Sequence, residues 1–328
     1  MPSPLTKGTK MDHIKKALND LDLNDLRQIR KHISQTKVNV LLVGGSGVGK
    51  SSTINALFQR HGLESNAKIG QGTEPETKEI SHHEIDNLVI WDTPGLGDST
   101  QKDEEHQKKI VDLLHKKDDE GQPLIDLIFL ILDASSRDFS SAFALIRETL
   151  LPNLHHDDRN RILIGLNQAD LAMKGHFWNH ENNKPEDELV ARLEDLVDTV
   201  RFRIKADTGL EVDPIYYSAG CTIDNKVLSN PYNLQKLLSF IMERLPNKKR
   251  AAIALHINKD EDNFRDNDNK EDYQEKINKS LLDSFLAFIR ETTSDIAVRI
   301  REIVTDPDNI KSATLAIFKL FIASKNRK

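Results

Sequence analysis

From Val38 onward the chain alternates between short apolar runs and stretches where apolar residues return every three or four positions. The runs Val38–Val43, Ile80–Ile85, Leu88–Trp91, Leu124–Leu132, Ile162–Leu166 and Pro214–Tyr217 predict strands, because short apolar runs bounded by polar or turn residues suit sheet cores. Phe139, Phe143, Ile146 and Leu150 step at helical spacing, as do Leu189, Leu193, Leu196 and Val200. Pro185 stands where a helix can begin. Leu234, Leu238, Ile241 and Leu245 make a third set, stopped by Pro246. This alternation predicts an α/β domain with a mostly parallel six-stranded sheet covered by helices on both faces. Ile80–Ile85 and Leu88–Trp91, joined by Asp86-Asn87, read as a hairpin that supplies one antiparallel edge strand.

The flanks carry a different pattern. Residues 1 to about 9 read as disordered. Ile14, Leu18, Leu21, Leu26, Ile29 and Ile33 fall near helical spacing with a break at Asp22–Asn24. After Pro246, the run NKDEDNFRDNDNKED reads as a linker or mobile loop. Its spaced aspartates do not make an EF-hand: counted from Asp266, the sixth position is Glu271 and the twelfth Ile277, where glycine and glutamate are required. Leu282, Leu286, Ile289, Thr293, Ile296, Ile300 and Ile303 repeat at 4-3-4-3-4-3. That is a long amphipathic helix, packed on the N-terminal helix or paired in a coiled coil. A last helical pattern runs from Asn309 to about Lys325. The predicted division is an N-terminal helical segment 1–36, an α/β domain 37–246 and a C-terminal helical region 247–328.

Composition narrows the class. With 328 residues, 38% hydrophobic and 30% charged, the chain can bury a large core beneath a well-charged surface. A net charge of -6 argues against a broad nucleic-acid-binding face. A single cysteine, Cys221, excludes an internal disulfide and fits a reducing compartment. The opening MPSPLTKGTKMDHIKK lacks the apolar stretch of a secretory leader. No run reaches the ~18 apolar residues that a membrane span needs. The expectation is a cytoplasmic globular protein without a membrane partner.

The chemistry concentrates in four places. Gly44-Gly45-Ser46-Gly47-Val48-Gly49-Lys50-Ser51 follows an apolar run and opens a helical one. Successive backbone N–H groups of such a loop form a concavity for phosphates, aided by the following helix N-terminus. Gly45, Ser46, Gly47, Val48, Gly49, Lys50, Ser51 and Ser52 are therefore candidate nucleotide contacts. Lys50 would reach the β- and γ-phosphates, and the Ser51 hydroxyl would ligate Mg²⁺. Trp91-Asp92-Thr93-Pro94-Gly95 closes the next strand. There Asp92 can hold Mg²⁺ through water, and the Gly95 amide can bond a γ-phosphate and release it after hydrolysis. Asn167-Gln168-Ala169-Asp170 follows another strand, and the Asp170 carboxylate can accept from N1 and N2 of guanine, a donor pair that adenine lacks. Ser218-Ala219-Gly220 follows the last strand, where a backbone N–H could bond guanine O6. His82-His83 and His155-His156 read as surface residues, since neighbours on a strand point to opposite faces.

The order and spacing of these four match the motif set of the G proteins. On GGSGVGKSSTINALF, PETKEI (Pro75–Ile80), WDTPGLGD (Trp91–Asp98) and NQADLAMKG (Asn167–Gly175), the chain resembles the translation-factor-related P-loop GTPases. Within them it is most similar to the YfjP/YkfA/YeeP-like bacterial GTPases, grouped with the Era-like, ribosome-binding superfamily. The loop is also similar to that of the dimerising septin, Toc and immunity-related GTPases. The resemblance spans about Val38 to Leu245. It implies a G domain that binds GTP and GDP with Mg²⁺, hydrolyses GTP and acts as a switch. Lys50, Thr77 and Gly95 would then be catalytic, with Ser51, Thr77 and Asp92 around the metal. It also implies a homodimer across the nucleotide and a ribosome as candidate partners.

Departures from that pattern carry expectations of their own. Thr77 is the switch threonine that the resemblance implies, with Thr73 as competitor. Gln168 replaces the usual lysine, which implies weaker nucleotide binding. Leu96 stands where Ras-like enzymes carry a water-positioning glutamine, which implies slow intrinsic hydrolysis and a catalytic group from elsewhere. Gly47 replaces the asparagine of potassium-activated relatives. Two rivals remain: an ATPase or kinase on the same loop, and a guanine-nucleotide scaffold activated only by dimerisation or a partner.

Overall fold

The computed structural model describes residue 31 and residues 33–58, 81–93, 100–223 and 226–291. The chain divides into two units. One comprises Val38–Leu245 with His256–Glu271, the other Met1–Lys37, Pro246–Leu255 and Asp272–Lys328.

The larger unit is built on a sheet of β1 (Val38–Val43), β2 (Ser81–Ile85), β3 (Leu88–Asp92), β4 (Leu127–Asp133), β5 (Ile162–Asn167) and β8 (Ile215–Tyr216). Their order is β2-β3-β1-β4-β5-β8. β2 runs antiparallel to β3, with Ile85 opposite Leu88 and Ser81 opposite Asp92. All other pairings are parallel. The predicted α/β fold with a six-stranded sheet and one antiparallel edge strand is therefore the observed one. β1, β3, β4 and β5 read as apolar runs because helices cover both faces of a parallel sheet; every residue of β1 and β5 is buried. Two small antiparallel pairs complete the strands: β6 (Trp178–Asn179) with β7 (Lys184–Pro185), and β9 (Cys221–Ile223) with β10 (Lys226–Ser229).

Among the described residues of Val38–Leu245 the α-helices are α1 (Lys50–Leu57), α2 (Thr100–Leu114), α3 (Ser140–Leu145), α4 (Asp187–Thr208) and α5 (Leu234–Arg244). α3 loosens into a π-helical turn over Ile146–Leu150 and a 3₁₀ turn over Leu151–Asn153. Phe139, Phe143, Ile146 and Leu150 all stay buried through this change of winding. α4 starts two residues later than Pro185 suggests, because Pro185 pairs with Trp178 in β6–β7. Asp187 and Glu188 occupy its first turn, where carboxylates favour the positive helix end. Gly209 ends it at φ 71, a left-handed cap that glycine adopts freely. α2 has no counterpart in the sequence reading. Its first two turns, Thr100 to Gln107, are polar, so the apolar period is too short to see.

Of the segment 258–272, read from its polarity as a linker or mobile loop, residues 258–271 form part of the larger unit. Ile257 pairs with Phe58 across an antiparallel bridge. Asn258 Nδ2 and Asn263 Nδ2 donate to the Ala56 carbonyl at 3.2 and 3.1 Å, and the Asn258 N–H donates to Leu57 O at 2.8 Å. These carbonyls belong to the last turn of α1, which lacks helical donors. The segment includes a short helix, α7 (Asp262–Arg265). Polar residues here supply caps, so low hydrophobicity does not mean freedom.

In the smaller unit, α6 (Asn247–Ala254) packs against α8 (Tyr273–Glu291), and the Ala251 N–H donates to the buried Ser284 hydroxyl at 3.0 Å. The helical patterns before residue 31 and after residue 291 lie outside the described residues.

Candidate functional site

β1, β3, β4, β5 and β8 run parallel, so the segments that follow them leave the sheet at one edge. In open α/β sheets that edge is where ligands bind. All four sequence motifs emerge there.

Sterics fix the loop after β1. A Cβ on Gly44 would lie 2.4 Å from the Ile131 carbonyl of β4, so the loop leaves the sheet in close contact with the neighbouring strand. Gly49 sits at φ 86, and a Cβ there would lie 2.3 Å from Asn167 Nδ2. Both positions therefore need glycine. The loop's carbonyls are held by side chains. Lys50 Nζ donates to Gly44 O at 3.0 Å and Gly45 O at 3.1 Å. Gln168 Nε2 donates to Gly47 O at 2.8 Å, and Asn167 Nδ2 to Val48 O at 2.8 Å. Thr53 Oγ1 donates to Gly49 O at 2.8 Å. In a trans peptide the N–H opposes the carbonyl. The amides of Gly45, Ser46, Val48, Gly49 and Lys50 are thus turned away from these donors, as an anion cradle requires. Ser51 and Ser52 open α1, with Ser51 exposed.

Thr53 also shares a hydrogen bond with Tyr217 OH at 2.8 Å. Both are fully buried, and burial pushes the Tyr217 hydroxyl far above its usual range. Tyr217 directly precedes Ser218, so this bond links α1 to the last motif. Sequence reading missed the pair; neither residue belongs to a recognised motif.

Asn167 ends β5 and is 2% exposed. Besides reaching Val48, its Oδ1 accepts from the Ala219 N–H at 3.0 Å. One amide side chain therefore joins the first and fourth motifs. Gln168 adopts φ 63 and uses its own amide on the loop, from the position where a lysine was expected. Ala169 is anchored by its N–H to Tyr217 O at 3.1 Å. Asp170 follows, half-buried and without a hydrogen bond or ion pair among the described residues. Ser218 exchanges backbone bonds with Tyr232 at 3.0 and 2.9 Å. The Gly220 N–H donates to Ser218 Oγ at 3.2 Å. Gly220 holds φ 71, and a Cβ would lie 2.8 Å from Ser229 O.

Asp92 is the last residue of β3, paired with Leu42 of β1. Burial raises its carboxyl above the usual 3.8, opposed chiefly by the positive charge of Lys50. Its Oδ1 is buried with no hydrogen-bond partner among the described residues. An orphaned carboxylate oxygen facing one lysine's field fits a site for a hydrated cation. Thr93 ties the next residue down, with Oγ1 and N both donating to Leu42 O. Thr73, Thr77, Gly95 and Leu96 lie outside the described residues. Among the described residues no cluster of three or more His, Cys, Asp or Glu side chains forms a metal site. No described helix is long and apolar enough to cross a membrane.

Residues 38–147 match the model of the AIG1 family. Over 117 residues the chain is 30% identical to interferon-gamma-inducible GTPase 10 of Mus musculus, covering 34% of this chain and 28% of that protein. Over 105 residues it is 36% identical to translocase of chloroplast 108 of Physcomitrium patens, covering 30% and 10%. The chain thus spans 28% and 10% of the length of these two relatives. Among solved structures, Toc33 from Arabidopsis thaliana in complex with GDP and Mg²⁺ aligns with a TM-score of 0.41 and 15% identity, covering 74% of this chain and 99% of that one.

Proposed function

We propose that the chain binds guanine nucleotide with Mg²⁺ and hydrolyses GTP to GDP as a nucleotide-dependent switch. The observation that carries this reading is the pair of hydrogen bonds by which Asn167 donates to Val48 O and accepts from the Ala219 N–H. It supports the reading by joining the loop after β1 to the loop after β8 through the first residue of the Asn167–Asp170 motif.

Lys50 carries the chain's contribution to the phosphates. Its ammonium, resting on Gly44 O and Gly45 O, is placed to exchange those carbonyls for phosphate oxygens. With the loop amides it stabilises charge on the transferring phosphoryl group. Asp170 accepts from N1 and N2 of the base. Ser51, Thr77 and water on Asp92 would hold the Mg²⁺, which when bound would neutralise phosphate charge. Gly95 would sense the γ-phosphate through its amide. Leu96 offers no group to orient water, so hydrolysis is slow until a partner or second copy supplies one. The alternative is a guanine-nucleotide-binding scaffold with little intrinsic hydrolysis, which Leu96 in place of a water-positioning glutamine favours. The YfjP-like affiliation rests on the motif sequences alone.

The test is phosphate release from GTP as a function of chain concentration, with Mg²⁺. A specific rate that climbs with concentration supports a switch completed by a second copy. Bound GTP that stays intact at every concentration leaves the scaffold.

A further inference from the structure

The strap 257–268 reaches both ends of this nucleotide frame. At one end its asparagines cap the phosphate helix α1 through Ala56 O and Leu57 O. At the other end it binds the framework of the two base-side loops. Asp266 Oδ2 accepts from Asn183 Nδ2 at 2.8 Å, and that same nitrogen donates to Pro231 O at 2.9 Å. Asn183 is buried at φ 46 in the turn between β6 and β7, the hairpin that follows the turn Ala169–Gly175 carrying Asp170. Pro231 lies beside Gly220 and precedes Tyr232, whose backbone pairs with Ser218.

Two further bonds brace this clamp. The Asp266 carbonyl accepts from the Asn233 N–H at 2.8 Å. Asn233 is fully buried at φ 60; its Oδ1 accepts from the Asp268 N–H at 2.8 Å and its Nδ2 donates to Tyr216 O at 3.1 Å. Asp268 is itself held by Lys236 at 2.7 Å, with both side chains largely buried.

We propose that Asp266 is a positioning residue for base selection. Through Asn183 and Pro231 it ties the β6–β7 hairpin, which follows the Asp170 turn, to the segment that pairs with Ser218, and so sets the spacing of the two base-side loops. This assignment rests on the guanine-binding reading above. Hydrogen bonds to a base edge weaken steeply as distance and angle drift. A clamp on the two loops that flank the base therefore acts on base discrimination. The phosphate loop is held by Lys50, Asn167, Gln168 and Thr53 instead, so phosphate affinity should not follow Asp266.

The experiment titrates the full, nucleotide-stripped chain, with Mg²⁺, against GDP and inosine diphosphate, which lacks the 2-amino group that Asp170 would read. Asp266→Ala should lower the preference for GDP over inosine diphosphate by roughly fivefold, about the worth of one weakened hydrogen bond. Inosine diphosphate keeps the N1–H and O6 contacts, so its affinity should also fall, but by less than that of GDP. Asp266→Asn keeps an oxygen acceptor for Asn183 and should restore the parent preference. Asn183→Ala should reproduce the loss, and it decides the matter if Asp266→Ala does not fold. An unchanged preference in a folded variant, or equal weakening of both nucleotides, overturns the assignment while leaving guanine binding intact. A parent that binds no GDP overturns the assignment together with the functional reading.

Discussion

The side-chain amide of Asn167 donates to the Val48 carbonyl at 2.8 Å across 119 residues of sequence. The same side chain accepts from Ala219 at 3.0 Å. Asn167→Ala leaves a buried carbonyl and a buried N–H without partners, which costs about 2–4 kcal/mol. It should lower the melting temperature and weaken GDP binding at least roughly tenfold. Thermal unfolding and calorimetry of the same preparation check both.

Two glycines of the phosphate loop should respond differently to alanine. At Gly49 a Cβ meets Asn167 Nδ2 at 2.3 Å in addition to the unfavourable φ, whereas at Gly47 nothing lies within 4 Å. Gly47→Ala should cost about 1 kcal/mol, from backbone strain alone. Gly49→Ala should cost more, because it also displaces Asn167. Denaturant unfolding of the nucleotide-free variants gives the ranking.

Thr53 and Tyr217 should couple. Thr53→Val strands a fully buried hydroxyl and costs about 1–3 kcal/mol. Tyr217→Phe removes the other partner. The double variant should be less damaged than the sum of the singles by about 1 kcal/mol. Additive losses would mean that the 2.8 Å bond contributes nothing to stability.

Asp92 is held at the cost of desolvation, as its raised pKa records. In metal-free, nucleotide-free buffer at neutral pH, Asp92→Asn removes a buried charge and should stabilise the chain. With nucleotide present, the same variant should lose the affinity gained on adding Mg²⁺. Thermal shifts with and without Mg²⁺ measure both effects.

Strands were the most legible part of the fold. A parallel strand buried on both faces must be apolar along its whole length, so Val38–Val43 could be read residue by residue. α2 was hidden because helical burial there falls on only a few residues near its end, among them Ile110, Leu113 and Leu114. At the site, the loop glycines were visible because backbone geometry leaves little choice of residue. The partners of Asn167 and Gln168 were not, since an amide's hydrogen bonds depend on chain segments brought together only by folding. The strap was misread for the same reason: Asn258, Asn263 and Asp266 resemble solvated residues until the carbonyls and amides they satisfy are in place.

The central claim is that one carboxylate chooses the base, and the most direct measurement is nucleotide preference after Asp170→Asn. The parent chain should take GDP over xanthosine diphosphate and ADP. The variant should reverse the first preference, because an amide can donate to the oxygen that xanthine presents where guanine has its 2-amino group. Identical preferences in the two chains, or parent binding of ADP as tight as GDP, would contradict the account.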